Sequence, residues 1–160
     1  MRTGDLLVAG ALVLLHLLLH LGLGVGAGVP DLFTLAVLVV ARECHEAAAA
    51  FFGLLLGLLE DAQGLLSFGS HGLALALVGA LAARTRDLFV GDSLLFAASY
   101  LFLGKLLRDL IHWVAVGPGG RLQPLGGLLL ESAMAAAYMT VVGLILIATT
   151  GVLRRQGAVR

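Results

Sequence analysis

Six apolar stretches, at 6–23, 32–41, 47–59, 65–83, 93–116 and 125–153, are each closed off by charge, glycine or proline, and they leave this chain few ways to fold. Charged residues make up 12% of the 160 and hydrophobic ones 60%, against about 25% charged in an ordinary soluble domain. Ten acids and ten bases cannot cover a water-exposed surface while leaving so much Leu, Ala and Val for an interior. The mean hydropathy of +1.05 points to the bilayer as solvent. The expected fold is therefore an all-α integral membrane protein, a single polytopic domain over 1–160 with six transmembrane helices. Zero net charge without a basic stripe leaves a nucleic-acid partner no electrostatic support. A lone cysteine, Cys44, rules out an internal disulfide and argues against a cysteine-based metal centre. No cofactor is expected.

The first stretch has the outline of a secretory signal, with Arg2 ahead of it and Gly24 and Gly26 after it. Its core is longer than the roughly 7–15 residues of a signal core, so a retained helix is expected. The interval from Asp31 to Glu60 reads either as one interrupted span or as a hairpin turning at Arg42-Glu43-Cys44-His45-Glu46. Charge placement favours the hairpin. Six spans with a cytoplasmic N-terminus put Arg2, Arg42, Arg84, Arg86, Arg154, Arg155 and Arg160 inside and leave Arg121 alone outside. A single span would bury Arg42 and export most of the others. Both termini are accordingly expected in the cytoplasm. The second and third stretches reach only about 15–20 Å as helices, so they are expected inside or against a bundle. Alternating Gly22, Gly24, Gly26 and Gly28 ahead of Pro30 suggest an extended loop.

Ionisable groups inside apolar stretches are functional suspects, because each costs about 2.5–3.5 kcal/mol at mid-bilayer unless paired. Lys105, Arg108, Asp109 and His112 recur at i, i+3, i+4 and i+7, which puts them on one helical face turned away from lipid. Glu131, one to two turns into the sixth stretch, is expected at a depth that lets it meet Arg108. Lys105, Arg108, Asp109 and Glu131 then sum to zero charge, as a buried network requires. The set reads as a structural ion-pair knot, as a pocket for a polar ligand or a partner's polar residue, or as a proton or ion path.

Gly53 and Gly57 form G-x3-G, with Asp61 at the next spacing of four, so all three share one face of a helix. Small residues let backbones approach closely, which marks a packing seam for a helix of this chain or of a partner. Asp61 and Glu60 read as a solvated helix end. His45-Glu46 resembles the opening of a zinc-protease helix, but Ala49 stands where the second histidine belongs. His16 and His20, one turn apart, read as packing residues rather than haem ligands facing His71 or His112. None of the serines sits in a G-x-S-x-G elbow.

The order of features is that of a known family: a short basic N-terminus, a long helix, Pro30-Asp31-Leu32, the Gly53–Gly57–Asp61 motif, Phe68-Gly69, Leu73, and an acid, Asp109, in the fifth stretch. In length and order the chain resembles the rod shape-determining protein MreD family over nearly all of its residues. It departs from the family in its very short turn at Arg42 to Glu46 and in Lys105 and Arg108. The resemblance implies a non-enzymatic scaffold or regulator in the bacterial cell-wall elongation complex. Such a protein binds MreC and acts through it on RodA and a class B penicillin-binding protein during peptidoglycan synthesis and rod-shape maintenance. It also implies a fold similar to the S-component of energy-coupling factor transporters, which supplies the alternative of a vitamin-binding S-component. Homodimer formation fits helices rich in small residues.

Overall fold

Helix length follows from where the chain finds its caps. The computed structural model describes residues 3–22, 30–63, 68–86, 94–119 and 124–150. Among the described residues there are six α-helices: α1 (Thr3–Leu17), prolonged by a π-helical turn (Leu18–Gly22), α2 (Leu32–Glu43), α3 (Glu46–Asp61), α4 (Ser70–Thr85), α5 (Leu94–Val116) and α6 (Leu125–Thr150). Asp31 starts α2 as its N-cap, accepting from the Thr34 amide at 2.9 Å and from the Thr34 hydroxyl at 2.6 Å. Cys44 ends the same helix in extended backbone, and α3 begins two residues later. The hairpin expected at Arg42 to Glu46 is therefore present, with a turn of only Cys44 and His45 between the helices.

The expectation of six transmembrane helices is corrected. Among the described residues, only α6 is both long and apolar enough to cross a membrane. Helices α2, α3 and α4 have 12, 16 and 16 residues, which at 1.5 Å per residue give about 18–24 Å against a hydrocarbon core of about 30 Å. Helix α1 has 15 residues. Helix α5 has 23 residues, but Lys105, Arg108 and Asp109 interrupt its apolar character. Caps and turns set the helix ends: α2 and α3 run slightly past the expected 32–41 and 47–59 and still stay short of a bilayer's thickness. Parts of the expected intervals at 6–23, 65–83, 93–116 and 125–153 lie outside the described residues. So do the glycines at 24, 26 and 28, Arg2, Arg121, Arg154, Arg155 and Arg160, and with them the placement of both termini.

Helix α2 occupies the centre. Every residue from Leu32 to Arg42 is buried, as its apolar sequence on all faces requires. It touches α1, α3, α4, α5 and α6. The closest packing is between α3 and α4. There a Cβ on Gly53 would run into the Leu75 carbonyl, and one on Gly57 would run into the His71 carbonyl. The Gly53–Gly57 face is thus filled by α4 of the same chain.

Successive helices alternate in direction, which sorts the charges to two ends. At one end, Arg86 donates to the Cys44 carbonyl at 2.8 Å, Arg84 lies 3.8 Å from Glu46, and the Arg42 guanidinium sits 5.5 Å from the centre of the Tyr100 ring. At the other end, the start of α2, the end of α3, the start of α4 and the last turns of α5 converge.

Candidate functional site

At that second end, helix α5 presents Lys105, Arg108, Asp109 and His112 on one face, as the spacing predicts, and both basic residues are buried. Lys105 bridges two carboxylates, donating to Asp109 at 2.6 Å and pairing with Asp31 at 3.0 Å. Arg108 donates through Nη2 to Glu60 at 2.5 Å and through Nη1 to Asp109 at 3.1 Å, with its Nε 3.7 Å from Asp31. His71 Nδ1 lies 2.7 Å from Arg108 Nη2 and 3.3 Å from Glu60. The His71 and His112 rings stack with centroids 3.9 Å apart, and His112 Nε2 is 3.2 Å from the Ser70 hydroxyl.

The carboxylate expected against Arg108 was Glu131, and here the structure differs. Arg108 points toward α2 and α3, where Asp31 and Glu60 receive it. Glu131, on α6, instead lines a cavity with Lys105, Asp109 and His112. Asp31, Glu60 and His71 are the participants that sequence reasoning missed. Asp31 had been noted only as part of Pro30-Asp31-Leu32, and its N-cap position was the available signal. The sequence suggests a solvated helix end at Glu60 and Asp61, but Asp61 is only 2% exposed. Its carboxylate accepts from the amides of His71 at 3.1 Å and Gly72 at 3.0 Å, satisfying two of the open N–H groups at the start of α4. Gly69, with φ +96°, turns the chain into that helix.

Electrostatics at the two entering carboxylates differ. Burial works against ionisation of Asp31, but Lys105, Arg108 and the Thr34 donors outweigh it and hold its carboxyl well below the usual range. At Glu60 burial prevails over the pull of Arg108 and raises the carboxyl above its ordinary value. One Glu60 oxygen, Oε2, is buried without a hydrogen-bond partner in the protein. In the first stretch, the His16 ring packs tilted against Phe33 with centroids 4.0 Å apart and stacks on His20 at 5.5 Å. Among the described residues, no group of three or more His, Cys, Asp or Glu side chains has the arrangement of a metal site.

No protein-family model, curated protein or solved structure matches this chain.

Proposed function

We propose that the chain is a non-enzymatic scaffold of the bacterial cytoplasmic membrane, akin to MreD, that binds MreC and through it supports the elongation complex of side-wall peptidoglycan synthesis. Its resemblance to that family rests on the ordered Pro30-Asp31-Leu32, Gly53–Gly57–Asp61, Phe68-Gly69 and Asp109 features. The observation that carries the reading is the division of labour between polar and apolar residues. The basic groups of α5 are directed at carboxylates of the same chain, where they fix α2, α3 and α5 against one another. The outer faces are apolar: Leu7 is 73% exposed, Phe51 61%, Leu95 73% and Leu130 67%. Large apolar side chains spread over the outer faces of several helices call for lipid or a protein partner as their surroundings. Helix α6 supplies the one described segment able to cross a bilayer, and the outward residues of α1, α3 and α5 supply further apolar surface.

The cavity beside Glu131 holds about 230 Å³, below the roughly 300–1,000 Å³ usual for small-molecule sites. That volume favours the scaffold over a vitamin-binding S-component. The test is co-expression with MreC followed by detergent extraction and size-exclusion chromatography. A stable co-eluting complex is expected. Separate elution of the two proteins, with a vitamin retained by the chain alone, overturns the proposal.

A further inference from the structure

We infer that Glu60 is a proton-binding site, and that the proton it carries balances the buried cluster at the junction of α2, α3, α4 and α5. Three carboxylates, Asp31, Glu60 and Asp109, meet two bases there, Lys105 and Arg108. With all five ionised the cluster holds one negative charge in excess, and an uncompensated charge in such surroundings is costly. One proton removes it.

The contacts decide which carboxylate takes that proton. Asp31 accepts from the Thr34 amide and hydroxyl and pairs with both bases. Asp109 accepts from both bases. Glu60 has one cationic donor, Arg108, which reaches Oε1, while Oε2 is buried and makes no hydrogen bond within the protein. Of the three, Glu60 is the carboxylate whose charge is least supported, so it gains most by carrying a proton. Oε2, closed to solvent, is the oxygen left to hold it, and no hydrated cation reaches that atom in a proton's place.

The groups that face Glu60 from the surrounding helices leave the proton there. His71 of α4 turns Nδ1 to Arg108 Nη2 at 2.7 Å, and because a guanidinium only donates, this nitrogen accepts and is unprotonated. Burial and the same Arg108 push His71, and His112 of α5, down to about 4. His16 of α1, stacked on His20, is buried against Phe33, and that burial opposes a charge on its ring. Asp61, next to Glu60 on α3, gives its carboxylate to the His71 and Gly72 amides. Glu131 of α6 lines the cavity beside Lys105 and Asp109 and, being an acid, supplies no positive charge. The inference rests on these contacts alone, so failure of the chain to co-elute with MreC leaves it unchanged.

The test is infrared spectroscopy of the full chain in dodecyl maltoside at about pH 6, where an ordinary glutamate, with its value of about 4.3, is almost wholly ionised. The carbonyl band of a protonated carboxyl group is expected. Isotopic labelling of the glutamate carboxyl carbons shifts that band in the unaltered chain, which assigns it to glutamate without any substitution. Glu60→Gln removes the band, whereas Glu131→Gln, at an exposed position, retains it. Above the ordinary value the native chain keeps a proton that the unfolded chain has lost. Its folded-to-unfolded ratio therefore falls relative to that of Glu60→Gln as pH rises, by up to about tenfold per pH unit, until the folded chain gives up the proton as well. The loss tied to Asp31 sets in at lower pH. No protonated-carboxyl band, a band unmoved by the label, or a band lost in Glu131→Gln overturns the inference. A ratio that rises relative to Glu60→Gln overturns it too.

Discussion

Arg108 of α5 and Glu60 of α3, 48 positions apart in sequence, meet through a 2.5 Å hydrogen bond at the end of the bundle where four helices converge. The contact joins two helices through side chains rather than through apolar packing. Arg108 also reaches Asp109 and His71, so its guanidinium is the hub of the cluster.

Removing that hub leaves three carboxylates, Asp31, Glu60 and Asp109, with only Lys105 to balance them. Arg108→Met is expected to lower the unfolding free energy by about 3–5 kcal/mol, the cost of breaking a buried ion pair from one side. Glu60→Gln costs less, because burial already opposes its charge. The combined Arg108→Met, Glu60→Gln variant is expected to lose less than the sum of the two single losses. Thermal unfolding in detergent followed by circular dichroism checks the cycle, and strict additivity of the two losses refutes the coupling.

The seam between α3 and α4 admits no side chain at Gly53 or Gly57, because backbone carbonyls of α4 stand where a Cβ would go. Gly57→Ala is expected to destabilise by about 1–3 kcal/mol or more through overpacking. Gly10→Ala in α1, where a Cβ meets nothing within 4 Å, should instead stabilise by about 0.5–1 kcal/mol. Opposite shifts in melting temperature are the readout.

Asp61 acts as a borrowed cap, satisfying the first turn of α4 from the end of α3. Asp61→Ala should cost about 0.5–2 kcal/mol and open the α3–α4 junction. Hydrogen exchange at the amides of His71 and Gly72 reports this directly, and unchanged protection there would contradict the capping role.

Acid should loosen the same end of the molecule. The Asp31 carboxyl is held below its unfolded value of about 3.9, so its contribution is complete above that pH and is lost as pH falls through the folded value. Unfolding measured from pH 7 down to about pH 2 should show stability declining on the acid side, and Asp31→Asn should flatten that decline. An identical slope in the variant would mean that other carboxylates carry it.

Periodicity was enough to place Lys105, Arg108, Asp109 and His112 on one face, because the helical repeat belongs to the segment itself. The same holds for Gly53, Gly57 and Asp61, and for the turn at Cys44, where charge interrupts apolar sequence. A helix's own pattern does not say which neighbour its face will meet. Glu131 matched Arg108 in depth, yet Arg108 faces Glu60 and Asp31. Glu60 and Asp61 are adjacent, but a helix rotates them about 100° apart, so one turns to α5 and the other to α4.

The sequence alone determined helical character, the order of the elements and the polar face of α5, all of which depend on local composition and a 3.6-residue repeat. Tertiary structure decided the lengths of the helices, the burial of Asp61, and the choice of Asp31 and Glu60 as partners. Those outcomes depend on caps and on the rotation of each helix against its neighbours. The rotations, and the cap that Asp61 lends to α4, are set by contacts between residues remote in the chain, whereas the Asp31 cap on Thr34 is local.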